Sequence, residues 1–322
     1  MADLGKPGPP PPPAAARAAG AGGGGGARRP PGRAADPADV TAICNVGDDF
    51  EWHGLHVSPD IDTVIYTLAG LEGELGWGVR GDTLAALGEL AELGEEPWFQ
   101  IGDRDLATHV WRTERLRTGR PLSEVTADLA RRRGLGLALL PVTDESHPTV
   151  VVTPDGPLDF QDYFVRGRAS AEVVGVEFPG AASASPAPGV LDALTASDAV
   201  IVAPSNPFVS IEPVLVVQGV SEALRDTSAP VVAVSPIVGG EAVKGPAAAM
   251  MRTLGHDVSA LGVARLYAGL VDVFVLDEVD RSLAPAVEDL GMRAVVTDTM
   301  MTSPDRRLAL ASTVLDAAAG TR

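Results

Sequence analysis

From Val40 onward the chain alternates two kinds of apolar pattern. One is a short run of β-branched and other apolar residues, seen in VTAICNV, LALLPVT, TVVVTP, AVIVAP, PVVAVSP, VDVFVLDE and RAVVTDT. Such runs, bounded by turn-forming residues, predict buried strands. The other pattern repeats every three or four residues and predicts helices. Leu84, Leu87 and Ala91 mark one apolar face, Leu106, Val110 and Thr113 a second, and Val125 and Leu129 a third that stops near Gly134. PAAAMMRTLG and PDRRLALASTVLDAAAG predict two later helices. Strands alternating with helices indicate an α/β fold whose sheet is mostly parallel and covered on both faces. TVVVTPDGPLDFQDYFVR departs from this scheme as a β-hairpin with Asp-Gly at its turn. Residues 179–189, PGAASASPAPG, read as a surface loop.

Residues 1–39 carry no such pattern. Their Pro, Gly and Ala content cannot bury enough surface to offset ordering entropy, which predicts disorder there and a folded domain over residues 40–322. The chain is 45% apolar, enough for a real core, but only 4% aromatic, so Val, Leu, Ala and Ile must fill it. No apolar run reaches the ~18 residues of a membrane span. The formal charge of −18 argues against general binding to nucleic acid or anionic lipid. Cys44, the single cysteine, reads as a small buried hydrophobe rather than a metal ligand. Together these points suggest a cytoplasmic protein. Apart from Lys6, Lys244 is the one lysine, which marks it for attention.

In α/β folds ligands gather outside the carboxyl ends of the strands, so the strand exits are where chemistry is to be sought. NVGDD, residues 45–49, presents Asp48 and Asp49 after a sharp turn at Gly47. Carboxylates there can bind Mg²⁺, accept hydrogen bonds from sugar hydroxyls or act as a base; they can also merely cap a helix or face solvent. In SPDIDT, Ser58 or Asp60 is expected to cap the following helix, whereas Asp62 lies one turn in, where a cap has no use for it. IGDRDLATHVWR places Asp105, His109 and Arg112 on one helix face. A surface ladder accounts for Arg112, while Asp103, Arg104 and His109 are candidates to line a polar pocket. APSNPFVSI holds Ser205 and Asn206 between two prolines, as small donors suited to phosphate. In VSPIVGGEAVKGPAAAMM, Gly239 and Gly240 permit close backbone approach. Lys244 and Gly245 precede a helix start as a phosphate clamp or a simple turn. The glycine tract at residues 22–26 reads as low complexity, with no strand before it.

Taken in order, NVGDD, GLHVSPDIDTVIYTLAG, GWGVRGDT, IGDRDLATHVWRTERLRTG, LSEVTADLARRRG, APSNPFVSI, VVAVSPIVGGEAVKGPA and DTMMTSPD resemble the CofD/FbiA family over about residues 40–318. These transferases join a phospho-lactyl or phospho-enolpyruvyl group to the deazaflavin precursor Fo in coenzyme F-420 biosynthesis. The resemblance implies a Rossmann-like fold with a helical insertion and a β-hairpin. It also implies Mg²⁺, a guanosine diphosphate-linked donor, release of GMP, and a homodimer. Carried onto this chain, it gives catalytic roles to Asp48, Asp49 and Asp62, the first two also as metal ligands. Asp62, Gln100, Asp103, Arg104 and His109 would meet Fo, and Ser205, Asn206, Lys244 and Gly245 the nucleotide phosphates.

Two departures stand out. The family begins with an apolar strand, a Gly-Gly-x-Gly-Gly-Ala-Arg loop and a leucine-rich helix. Here the letters from Gly22 to Arg28 match, but proline-rich flanks predict a degraded first βα unit. Gln100 stands where some relatives carry a cation. The alternative reading is a non-enzymatic nucleotide-sugar-binding regulator of the YvcK-like type, for which a glycine- and serine-rich continuation after Asp48-Asp49 is expected. The acidic DDFEWHGLHVSPDIDT follows instead. A nicotinamide-dependent oxidoreductase would need a strand before Gly22.

Overall fold

The structure, a computed structural model, describes residues 15–19, 35–74 and 76–321. A seven-stranded sheet forms its centre, in the order Arg293–Thr297, Val273–Asp277, Val231–Val234, Ala199–Val202, Ala15–Ala19, Val40–Cys44 and Ala138–Pro141. Every neighbouring pair is parallel except the two that involve Ala15–Ala19, which runs antiparallel to both of its partners. The β-branched runs are strands because they are buried on both faces: Val232, Val273, Phe274 and Val275 are fully enclosed. Helix Pro304–Ala319 covers one face by packing Leu310, Val314, Ala317 and Ala318 against Val232, Val234, Val273 and Val275. The other face carries the larger core, including Ile43, Cys44, Ile61, Ile65, Leu139, Phe274 and Met250. Truncating Phe274 to Ala is expected to cost about 3–5 kcal/mol of stability, read as a lower denaturant midpoint, because the surrounding strands cannot close the cavity.

Ala15–Ala19 corrects one expectation. The segment read as disordered contains a strand, and that strand precedes the glycine tract. Alanine has weak strand propensity, so the pattern is silent there. The reason lies in the sheet: Val40–Cys44 and Ala199–Val202 would otherwise leave a row of backbone N–H and C=O groups unpaired between them, and Ala16 pairs with both Ile43 and Val202. The glycine tract itself, residues 22–26, lies outside the described residues.

Four helices follow the acidic stretch: α1 (Pro59–Leu68), α2 (Ala85–Glu92), α3 (Asp103–Arg117) and α4 (Leu122–Arg132). In α4 the expected Val125 and Leu129 are buried; in α2 Leu87 is buried while Leu84 and Ala91 are exposed; α3 departs further. Its inward face carries Asp105, Thr108, His109, Arg112 and Thr113, while Val110 is half exposed. A helix that buries its polar side has something polar to meet, and here it meets the acidic stretch. The expected hairpin is present as Val150–Thr153 paired with Gly156–Asp159, extended by Gly175–Glu177. Among the described residues no single helix is long and apolar enough to cross a membrane.

Candidate active site

Because Val40–Cys44 and Ala199–Val202 are both antiparallel to the strand between them, they point the same way and open at the same edge. The two exits are joined there. Asn45 Nδ2 donates to Val209 O at 3.4 Å, in the short helix Pro207–Ile211 that Asn206 begins. The same amide group reaches Asp60 Oδ2 at 3.1 Å and Asp48 Oδ1 at 3.4 Å, while Asn45 Oδ1 accepts from Gly47 N at 2.7 Å. Gly47 is required for contact rather than for a turn: a Cβ there would lie 2.6 Å from Thr149 Oγ1 and 3.0 Å from Pro213 Cβ.

After Asp49 the chain folds back on itself. His53 and Gly54, both at positive φ, make a two-residue turn between Phe50–Trp52 and Leu55–Val57. A small aromatic cluster holds this hairpin; Phe50 meets Phe99 edge-on at 4.7 Å, and Trp52 packs with Leu87 and Ile101. The return brings His56 and Ser58 to Asp49: His56 Nε2 lies 2.9 Å from Asp49 Oδ2, and Ser58 Oγ donates to the same oxygen at 2.7 Å. Asp49 Oδ1 is buried without a hydrogen-bond partner. Neither expected cap of α1 forms. Ser58 gives its hydroxyl to Asp49 and Asp60 binds Asn45, leaving the helix start to backbone and Pro59.

Asp62 belongs to a second, deeper network. Arg112 clasps both of its oxygens, one bond at 3.0 Å, and also donates to His56 O at 3.4 Å. His109 Nδ1 stands 3.6 Å from Asp62, and its Nε2 3.2 Å from Asp105. Tyr66 donates its hydroxyl to Asp105 at 2.8 Å. Arg112, expected on the surface, is 1% exposed. Although burial opposes its charge, Asp62 and Asp49 keep this guanidinium firmly protonated. Asp62, Asp105 and His109 are close enough to share a metal ion, but Arg112 already fills the cationic role beside Asp62.

Two carboxyls with raised pKa remain at the outer end. Burial, with the charges of Asp60 and Asp49, pushes the Asp48 carboxyl well above its usual range. Burial raises Asp60 to about 7, against the opposing Asn45 hydrogen bond and helped by Asp49. A carboxylate raised in the fold adds stability that is fully present below its unfolded pKa and is lost as pH climbs through the folded value. Metal-free protein is therefore expected to lose melting temperature between pH 4 and about 7 from this source. Asp60→Asn should flatten that part of the profile, and an unchanged slope would contradict it.

The other candidates make different contacts. Asp103 accepts from Ala85 N at 3.1 Å, Ala86 N at 2.9 Å and the Thr83 hydroxyl, capping α2; the Thr83 and Ala86 bonds hold its carboxyl below the usual range. Asp82 returns the favour to α3 through Arg104 N at 2.8 Å and Asp105 N at 3.1 Å, so Asp82→Ala is expected to lower stability by about 1 kcal/mol in a thermal melt. Arg104 and Gln100 are exposed. Among the described residues no hydrogen bond or ion pair joins Gln100, Asp103 or Arg104 to Asp62. Asn206 turns inward to cap its own helix at Phe208 N, 3.0 Å, whereas the buried Ser205 hydroxyl has no partner. Gly239 and Gly240, both at positive φ, form a tight turn between Ile237–Val238 and Glu241–Ala242. Lys244 is exposed and Gly245 left-handed, before a helix of only seven residues, Ala247–Thr253.

Residues 18–313 match the family described as 2-phospho-L-lactate transferase CofD. The chain belongs to the CofD family of transferases. A phosphoenolpyruvate transferase from Streptomyces griseus subsp. griseus is 44% identical over 293 residues, 89% of this chain and 92% of that protein. A 2-phospho-L-lactate transferase from Methanococcoides burtonii is 41% identical over 266 residues, 82% of this chain and 86% of that protein. In fold, the chain is similar to a UPF0052-family protein from Bacillus halodurans, with a TM-score of 0.53 at 13% identity, covering 85% of this chain and 90% of that one. That likeness extends to architecture alone. The matched region spans both strand exits and the whole acidic stretch.

Proposed function

We propose that this CofD-family chain transfers a phospho-enolpyruvyl or phospho-lactyl group from a guanosine diphosphate-linked donor to the ribityl hydroxyl of the deazaflavin Fo, in coenzyme F-420 biosynthesis. The acceptor oxygen forms a bond to the donor's terminal phosphorus, the bridging P–O bond breaks, and GMP leaves. The hydroxyl proton passes to Asp49 Oδ1. One observation carries this assignment: Asp49 has one oxygen held by two donors and the other buried without any. Such a carboxylate is fixed in place with a single oxygen left for proton transfer.

Asp48 and Asp60 fit a divalent cation. Both are hard oxygen donors, they share the Asn45 amide, and burial, with the neighbouring carboxylates, raises both carboxyls above their usual range. Bound there with Asp49 alongside, Mg²⁺ would offset charge on the donor diphosphate. The Ser205 hydroxyl and the exposed Lys244, with Gly245, supply donors for the nucleotide phosphates. Asp62 and His109, set by Arg112, form the wall toward the acceptor.

The test is GMP release by purified protein with Fo, Mg²⁺ and each candidate donor, alongside Fo binding read from its own fluorescence. Release that needs both Fo and Mg²⁺ is the expected result. Nucleotide binding without Fo binding or GMP release would favour the regulator reading instead.

A further inference from the structure

The hairpin that carries the sequence from Asp49 back to Ser58 does more than connect a strand to a helix. Ser58 occupies the position preceding α1, where a serine side chain ordinarily accepts from the first turn of the helix. It makes no such bond; fully buried, it donates to Asp49 Oδ2 instead. His56 aims Nε2 at that same oxygen, and its backbone is gripped on both sides by α3: His56 N donates to Thr113 Oγ1 at 2.8 Å, and Arg112 Nη1 donates to His56 O at 3.4 Å. Two donors from different residues thus converge on one carboxylate oxygen while its twin is left bare and buried.

Asp49 needs such restraint. Asp48 and Asp60 stand close enough for its charge to act on both, and an unheld carboxylate would rotate away from them. We propose that His56 and Ser58 are positioning residues that lock Asp49 by Oδ2 and so leave Oδ1 as the oxygen available to the acceptor hydroxyl. The role rests on the transferase reading given above. It assigns His56 no proton transfer of its own; a fixed N–H in its place serves equally. A carboxylate held only loosely would still permit binding but would meet the reacting hydroxyl in the wrong orientation, which costs turnover rather than affinity.

The experiment compares wild type, His56→Ala, His56→Gln and Ser58→Ala by steady-state GMP release with Fo as the varied substrate. His56→Ala is expected to lower kcat by about 10- to 100-fold, the range seen when a residue orienting a functional group is removed, with KM for Fo changed by less than about threefold. His56→Gln, which keeps an N–H near the Nε2 position, should recover most of that loss. Ser58→Ala should also lower kcat, and the double variant Ser58→Ala/His56→Ala should lose less than the product of the single losses, since both act on one oxygen. Should His56→Ala fail to fold, His56→Gln against Ser58→Ala decides: near-wild-type turnover in the first and reduced kcat in the second is required. Wild type that is active, with variants that keep kcat or lose only in KM, overturns the positioning role alone. Wild type that releases no GMP overturns the transferase reading and this inference with it.

Discussion

Asp49→Asn is expected to lower turnover by about 10²–10⁴-fold while leaving the fold intact, because the amide retains the shape of the carboxylate but cannot take a proton. The size of the effect follows from placement. Asp49 is the member of the outer carboxylate group with a buried oxygen that nothing else engages. Its neighbours are spoken for: Asp48 and Asp60 share Asn45, and Asp62 is clasped by Arg112. The check is single-turnover GMP release at saturating donor and Fo, which isolates the chemical step from product release. Turnover within about threefold of wild type would remove Asp49 from the reaction, and Asp48 would inherit the role.

The second large effect concerns stability. Arg112→Met is expected to lower the free energy of unfolding by about 3–5 kcal/mol, because it strands a buried carboxylate among like charges. Asp62 is 4% exposed, and Asp48, Asp49 and Asp60 already repel one another next to it. His109 stays within reach but is 3.6 Å away and is shared with Asp105. Urea denaturation should show a lower midpoint with an unchanged slope. Converting the partner as well, in Arg112→Met/Asp62→Asn, should restore part of the loss, since no uncompensated charge then remains. If the single variant melts like wild type, the pair is not an essential part of the interior.

The pattern of apolar runs was enough to place the strands, since Val232, Val273 and Val275 are buried on both faces and leave an unbroken apolar signature. It failed at Ala15–Ala19, where the case for a strand comes from the backbone needs of its neighbours and not from its own side chains. It also failed on α3. Of Leu106, Val110 and Thr113, suggested as the inward face, Thr113 alone is buried; the helix turns Asp105, His109 and Arg112 inward with it, where the acidic stretch supplies their partners. Periodicity registers hydrophobicity, so it does not by itself locate the buried side of a helix when that side is ionic.

At the site, Asp48, Asp49 and Asp62 stood out as acidic residues at a strand exit, and the structure draws them into one region with Asp60. Asn45 was passed over although it sits in the same NVGDD run. Its importance lies in a contact to Val209, 164 residues away, that no local pattern can announce. Asp103 shows the opposite case: its hydrogen bonds go to the start of α2, which has no side-chain cap of its own, a role its own sequence position after a glycine does not announce. Where a donor or acceptor finds its partner nearby in sequence, chemistry can be read from letters. Where the partner comes from another element, it cannot.

Mass spectrometry of the reaction mixture gives the most direct test of the central claim, that this carboxylate-rich strand exit joins a phosphoryl group to a deazaflavin alcohol. Wild-type protein incubated with Fo, Mg²⁺ and the guanosine diphosphate-linked enolpyruvyl and lactyl donors should convert Fo to an adduct heavier by one phospho-enolpyruvyl or phospho-lactyl group, with one GMP per adduct, and Asp49→Asn should yield almost none. Unmodified Fo with every donor, or equal conversion by wild type and Asp49→Asn, would contradict it.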